Sequence, residues 1–261
     1  IVDMHKCPGH SFHDGLQHEQ PIFRDKVWVE RTKMVWSALC EVFSGMDGVM
    51  LEILNEPTAP SHDIWNELMK ELYNHIRDAA PTNTIVIGSN TLNYASTFQA
   101  LAPVNDENVQ YSFHYYRPFL FTHQEVPWVP HDSNVHQRRD YPGEYGYEGE
   151  GHFLYQGDEG SWNIDRMRKT LEPVLEFQRK NSALINCGEF GCWAQVPRES
   201  MLLWTKDFTG ILRENDIGFY YWNYKNLDFG LFSTGESLHA GLPQYNNEER
   251  LDRGMLDILT T

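Results

Sequence analysis

The chain has 261 residues, with 21 Lys and Arg against 37 Asp and Glu, so its formal net charge at pH 7 is −16. Surfaces that bind nucleic acid or anionic membranes need clustered basic side chains, and this balance argues against both as partners. Hydrophobic residues at 41% and aromatic residues at 13% suffice for a packed core, which excludes a disordered tail or linker. No apolar run approaches the roughly 18 residues that a membrane span requires.

Six short apolar runs, each ending in polar residues, predict buried strands. They cover residues 1–5, 49–54, 84–87, 109–114, 183–187 and 217–222. Helical periods lie between them, at 35–42, 164–175, 201–212 and most clearly 64–79, where Ser61 is the predicted N-terminal cap. Strands that alternate with helices predict a parallel sheet or a barrel.

Residues 115–162 break this alternation, because they hold many aromatic residues, histidines and glycines without a sustained period. An irregular stretch of this length is uncommon in a compact domain unless it is functional, which predicts an inserted lid subdomain. A floppy surface insertion is the alternative. The rest shows no linker, so residues 1–261 are predicted to form a single domain. The four cysteines are too sparse for a disulfide scaffold and are predicted to be free thiols.

Two acidic residues stand at predicted strand ends. Glu56 follows the second strand and precedes Pro57, and Glu189 follows the fifth strand between glycines. Each one alone also fits an ordinary turn with a solvated carboxylate. Barrel enzymes, however, place catalytic groups where strands end, and two such acids can face each other across a barrel mouth, as glycoside hydrolysis requires.

Two further strand ends carry candidate binding residues. His114 and Tyr116 lie two positions apart, so they share one face of an extended backbone. Trp222 ends the last strand and offers a flat apolar plate for a sugar ring, although an isolated tryptophan also fits the core.

Together these residues resemble glycoside hydrolase family 5, the cellulase family of retaining (β/α)8 barrels, and in particular its endoglucanase branch with a subdomain after the sixth strand. The resemblance spans nearly the whole chain and is weakest from Glu236 to Glu248. The matching motifs run in order: Asp3-Met4-His5 with Pro8-Gly9, Asn55-Glu56-Pro57, His114-Tyr115-Tyr116 with Phe121-Thr122-His123-Gln124, Gly188-Glu189-Phe190-Gly191, and Trp222-Asn223-Tyr224-Lys225.

The resemblance implies an α/β fold, an incomplete TIM barrel of (β/α)6 form that corresponds to strands 3 to 8 of a (β/α)8 barrel, with the lid inserted after the strand ending at His114. It implies that Glu56 is the general acid/base and Glu189 the nucleophile. It further implies that Asn55 holds the sugar 2-hydroxyl and that Tyr116 hydrogen-bonds the nucleophile.

The resemblance also implies that His5 and His114 line the reacting subsite and that Trp222 is its platform. The retaining mechanism requires two closely spaced carboxyl groups, one ionised and one protonated, and needs no metal or other cofactor.

The chain departs from the family pattern at its N-terminal end. Strand three is the first strand present, so we expect that strands one and two are missing, together with the arginine that pairs with the nucleophile in the family. Without that arginine we expect reduced activity or a shifted pH dependence. An open sheet exposes two edges, so we expect a homo-oligomer that covers them. Any signal peptide would lie upstream of Ile1, which leaves a secreted and a cytoplasmic location both open.

The leading hypothesis is a retaining glycoside hydrolase that cleaves β-1,4-glucan, such as cellulose or mixed-linkage glucan, with its oligosaccharide or polysaccharide substrate as its partner. The alternative is a truncated, catalytically impaired barrel that binds glucan without efficient turnover. A metal-dependent barrel hydrolase is a third possibility. The cluster of His10, His13, Asp14 and His18 matches no closed metal site, and a substrate-contacting loop is the preferred interpretation.

Overall fold

The computed structural model describes residues 1–11, 20–129, 134–149, 154–225, 228–231 and 251–261. Its strands are β1 (Val2–Asp3), β2 (Met50–Glu52), β3 (Thr84–Gly88), β4 (Val109–Tyr115), β5 (Gly143–Tyr145), β6 (Gly160–Trp162), β7 (Leu184–Phe190) and β8 (Gly218–Tyr221). Its helices are α1 (Lys26–Phe43), α2 (His62–Ala79), α3 (Asn90–Asn93), α4 (Phe119–Thr122), α5 (Ile164–Asn181), α6 (Arg198–Glu214) and α7 (Arg253–Thr260). His13, Asp14, His18 and the segment from Glu236 to Glu248 lie outside the described residues.

All six predicted strands are present, and they form one sheet in the order β1-β2-β3-β4-β7-β8. The first four strands pair in parallel, with Leu51 of β2 opposite both Val2 and Ile85. The long helices α1, α2, α5 and α6 fall where helical periods were predicted. β7 differs from its prediction, since it continues past Cys187 to Phe190 and so contains Glu189.

The described chain divides into two compact units. Unit 1 comprises Ile1–His114 and Pro173–Asn186, and unit 2 comprises Tyr115–Glu172 and Cys187–Thr261. The single catalytic domain with a lid over residues 115–162 stays a prediction. Within the described residues, no helix combines the length and the apolar character needed to cross a membrane.

In unit 1, helices α1 and α2 are fixed to the strands by tryptophans as well as by apolar packing. The buried indoles of Trp36 and Trp65 donate hydrogen bonds to the carbonyls of Ile53 and Gly88, over 3.2 and 3.0 Å. α2 begins as predicted, because the Ser61 hydroxyl accepts a hydrogen bond from the Ile64 N–H. These contacts hold the ends of β2 and β3, from which the site residues emerge.

In unit 2, the buried face of α6 packs against aromatic side chains of the strands. Phe208 stacks on Tyr115 with the ring centroids 4.4 Å apart, and Trp204 lies 5.5 Å from Phe208 and 6.2 Å from Tyr115. Phe190 of β7 contacts Phe208 at 5.0 Å. Aromatic packing of this kind fixes the strand end that carries Glu189.

The lid segment, residues 115–162, contains α4 and the two-stranded β5–β6 hairpin. Asp158 is its central polar residue, with a fully buried side chain that accepts the Leu120 N–H and lies 2.7 Å from the Arg117 guanidinium. Burial raises the pKa of Asp158 to about 6, and attraction to Arg117 offsets only part of that cost.

This raised pKa makes the stability of the fold depend on pH. An Asp in the unfolded chain titrates near pH ~3.9, so the folded chain holds the Asp158 proton more tightly. The resulting stabilisation is present below the unfolded pKa and is lost as the pH rises through the folded one. Between about pH 4.5 and 7.5, we expect the unfolding free energy of the parent to fall by about 2 kcal/mol relative to that of Asp158→Asn. Urea unfolding of both proteins at the two pH values measures this, and a difference that does not change with pH would contradict it.

Candidate active site

Glu56 lies in the turn that follows β2, with its side chain only 12% exposed. Its backbone adopts a φ of 45°, a left-handed conformation that is uncommon for a residue other than glycine. Pro57 follows directly and further restricts the conformations open to Glu56. Strained positions of this kind cluster at functional sites, because the surrounding structure must hold them in place.

His114 holds the Glu56 carboxylate. Its Nδ1 lies 2.8 Å from Oε1 of Glu56, and its side chain is only 2% exposed. Its Nε2 lies 3.4 Å from the Nδ2 amide nitrogen of Asn93. A neutral imidazole has one N–H and one acceptor, so an Asn93 amide that donates to Nε2 leaves the Nδ1–H to donate to Glu56.

Asn55 and His5 complete the predicted residues of unit 1. Asn55 is 2% exposed, and its backbone N–H donates to the Met4 carbonyl over 3.1 Å, which ties the turn after β2 to the segment after β1. Its side-chain Nδ2 is buried and has no hydrogen-bond partner among the described residues. A buried amide that lacks an acceptor costs about 1–3 kcal/mol, so this donor is suited to a ligand oxygen. The His5 ring is 36% exposed and its Nδ1 lies 2.8 Å from the Asp3 carboxylate.

Glu189 and Tyr116 meet in unit 2. The Tyr116 hydroxyl donates to Oε2 of Glu189 over 3.0 Å. Tyr116 follows β4 immediately, and Glu189 is the penultimate residue of β7. The predicted contact between these two side chains is therefore present in the structure.

Trp222 follows β8, and its backbone N–H donates to the carbonyl of Phe190 over 2.9 Å. This bond places the half-buried Trp222 beside the end of the strand that carries Glu189. Gly191 permits the approach, because a Cβ at this position would lie 2.4 Å from the Trp222 carbonyl oxygen. The glycine after Phe190 is thus required by backbone packing.

A cluster of aromatic rings supports Tyr116. The half-buried His123 ring meets Tyr116 edge-on at 5.1 Å and stacks on Phe119 at 4.1 Å. Burial lowers the pKa of His123 to about 3, so this ring is neutral and acts as an aromatic plate. Trp128 contacts the same His123 ring at 6.2 Å and is 47% exposed, whereas the lid aromatic Trp162 is fully buried.

The structure thus brings the predicted residues together in two groups. Unit 1 holds Glu56 in contact with His114, and unit 2 holds Glu189 in contact with Tyr116. Asn93 is a site residue that the sequence analysis missed. The signal was the polar run that follows β3, because strand ends are where barrel enzymes place functional groups.

Comparison with known proteins shows the family to which the chain belongs. The model of the family described as Cellulase (glycosyl hydrolase family 5) matches residues 1–228. The chain is 33% identical over 243 residues to endoglucanase C of Acetivibrio thermocellus. The aligned region covers 89% of this chain and 70% of that protein. It is 29% identical to cellodextrinase A of Ruminococcus flavefaciens, over 83% of this chain and 60% of that protein.

Solved structures show the same fold. A hyperthermophilic endo-β-1,4-glucanase in complex with substrate is 26% identical, with a TM-score of 0.69 over 89% of this chain and 67% of that one. Cel5A of Thermotoga maritima is 23% identical, with a TM-score of 0.72 over 91% of this chain and 68% of that one. The predicted incomplete TIM barrel is confirmed by this likeness.

These matches define the chain as a glycoside hydrolase. It belongs to glycosyl hydrolase family 5, the cellulase family, as its motifs predicted.

The contact at Gly191 yields a direct test of how β7 is held. We expect Gly191→Ala to lower the unfolding free energy by about 1–3 kcal/mol, because the added methyl collides with backbone that cannot rotate away. Gly210→Ala is the matched control, since Gly210 lies within α6 and a Cβ there meets nothing within 4 Å. That variant should be neutral or slightly more stable. Equal thermal unfolding midpoints for the two variants would contradict the contact.

Proposed function

We propose that this protein is a retaining hydrolase of β-1,4-glucan, with Glu56 as the general acid/base and Glu189 as the nucleophile. One observation carries the proposal: each strand-end glutamate is held by a hydrogen bond from a residue at the end of β4, Glu56 by His114 and Glu189 by Tyr116. The curated relatives named endoglucanase and the solved endo-β-1,4-glucanase with its substrate support the glucan as the substrate class.

In the first step, the Glu189 carboxylate attacks the anomeric carbon of the glucan. The bond from that carbon to the glycosidic oxygen breaks, and Glu56 gives its proton to the departing oxygen. The products are a glycosyl ester of Glu189 and a shortened glucan with a free hydroxyl. In enzymes of this kind the two carboxyl groups lie about 5–5.5 Å apart.

In the second step, the Glu56 carboxylate takes a proton from water as the water oxygen attacks the anomeric carbon. The ester bond breaks and its electron pair returns to Glu189, which restores both glutamates. Two inversions at one carbon give net retention of the anomeric configuration.

The remaining predicted residues have supporting roles in this scheme. Tyr116 donates to Oε2 of Glu189 and so orients the attacking carboxylate. The buried Nδ2 of Asn55 offers a donor to the 2-hydroxyl of the reacting sugar. We place His5 and His114 along the reacting subsite and Trp222 beneath it as the apolar platform for the ring.

Two substitutions separate the roles of the glutamates. Glu189→Ala removes the nucleophile, so turnover of soluble glucan should be lost, and azide should rescue an activated cellobioside with formation of the α-glycosyl azide. Glu56→Ala should lower kcat/KM on glucan by about 10²- to 10⁴-fold, with azide giving the β-glycosyl azide. The exposed Glu67 of α2 is the control, and Glu67→Ala should keep full activity.

Unchanged glucan turnover in either glutamate variant would overturn the assignment, and so would the opposite azide anomers. Calorimetry of the parent protein with cellotetraose separates the alternative function. Binding without hydrolysis would favour a glucan-binding barrel that has lost catalysis.

We also propose that the chain self-associates along its outer strands, as the sequence analysis expects. β1 and β8 form the two edges of the described sheet, and unpaired edges favour pairing with another chain. Light scattering of the purified chain should give twice the mass of the monomer, and a stable monomer would remove this proposal.

A further inference from the structure

We propose that Asn93 is a positioning residue for acid catalysis, which it serves by fixing the tautomer of His114. The inference rests on the proposed role of Glu56 as the general acid/base. With the His114 Nδ1–H bound to Oε1 of Glu56, the second oxygen of Glu56 is left to give its proton to the glycosidic oxygen.

The three side chains form a chain of hydrogen bonds whose inner two members, Asn93 and His114, are closed to water. Asn93 is fully buried, and His114 is 2% exposed at its side chain. The Asn93 amide lies 3.4 Å from Nε2 of His114, and Nδ1 of the same ring lies 2.8 Å from Glu56. In the opposite tautomer, an Nε2–H would point at the amide N–H and a bare Nδ1 would face a carboxylate oxygen. Both contacts would then be repulsive, so the amide selects the Nδ1–H form.

The backbone that leads to Asn93 adopts an unfavourable left-handed conformation. Thr91, Leu92 and Asn93 have φ values of 60°, 60° and 55°, three consecutive left-handed residues without a glycine. The left-handed conformation is unfavourable for residues other than glycine, although asparagine tolerates it best. The strain therefore has to be offset by contacts that this turn makes with its surroundings.

Those contacts are to the segment that follows Glu56. The Leu92 N–H donates to the Pro57 carbonyl over 3.1 Å. The Asn90 side chain accepts the Ala59 N–H over 2.8 Å and donates to the Ala59 carbonyl over 3.0 Å. The turn after β3 is thus bonded both to the loop that carries Glu56 and to the histidine that holds its carboxylate.

Gly88 shows how closely the Asn93 side chain is seated. A Cβ at this last position of β3 would lie 2.3 Å from Oδ1 of Asn93, so the amide occupies space that any other residue would fill. Its Oδ1 is buried without a hydrogen-bond partner among the described residues, which leaves the contact to His114 as the polar function of this side chain.

The test compares two aryl cellobiosides that differ in how much acid assistance their leaving groups need. Asn93→Gly keeps the left-handed backbone and removes the amide. For the phenyl cellobioside, whose leaving group needs a proton, kcat/KM should fall by about 10- to 100-fold. For the 2,4-dinitrophenyl cellobioside, whose leaving group departs without one, the change should stay within about threefold. Thr91→Gly lies in the same turn but does not touch His114, and it should leave both substrates unchanged.

A purely structural role of Asn93 would depress both substrates equally, and that result would overturn the inference. Glu56→Gln is measured in parallel and should show the same leaving-group selectivity, with a larger loss. If Glu56→Gln shows no selectivity, the assignment of Glu56 as the acid fails instead.

A spectroscopic measurement decides the contact independently of activity. Nitrogen NMR of the ¹⁵N-histidine-labelled parent, with His114→Gln used to assign the signal, should show His114 with its proton on Nδ1. Asn93→Gly should shift this signal toward a mixture of tautomers. A parent His114 protonated on Nε2 would overturn the inference.

Discussion

The hydrogen bond from His114 to Glu56 is the interaction on which the candidate site of unit 1 depends. A carboxylate at a strand end is ordinarily solvated and free to rotate, and it then makes a poor directional acid. Here the 2.8 Å contact fixes one oxygen, and the low exposure of both side chains keeps water from competing for it. The turn after β3 is bonded to Pro57 and Ala59, and so it holds the segment that follows the left-handed Glu56.

The residues that bind the two glutamates, His114 and Tyr116, lie two positions apart in the sequence. His114 is the penultimate residue of β4 and Tyr116 follows the strand, so the two-residue period of an extended chain presents both side chains from one strand end. Each donates to a different glutamate, one from a ring nitrogen and one from a hydroxyl. Each of these two residues therefore orients the carboxylate of its own unit.

The sequence predicted the elements whose signals are local. Apolar runs located all six strands, and the Ser61 cap and the three- and four-residue spacing located α2. The family resemblance then supplied roles for residues whose positions were already evident. β7 was predicted too short, because Cys187-Gly188-Glu189 lacks the apolar run typical of a buried strand, and pairing within the sheet extends it to Phe190.

Tertiary features could not be predicted in the same way. A left-handed conformation contradicts the local preferences of Thr91 and Leu92, and bonds from the same turn to Pro57 and Ala59 compensate for it. Likewise, nothing local distinguishes the exposed Trp128 from the fully buried Trp162, since the difference arises from what packs around each ring.

The division of labour between the two glutamates is tested most directly by trapping the covalent intermediate. A 2-deoxy-2-fluoro cellobioside with an activated leaving group slows both steps but still lets the ester form and accumulate. Mass spectrometry of the intact protein should show one added fluorocellobiosyl group, and peptide mapping should locate it on Glu189. An adduct on Glu56, or rapid hydrolysis with inversion and no adduct, would contradict the account.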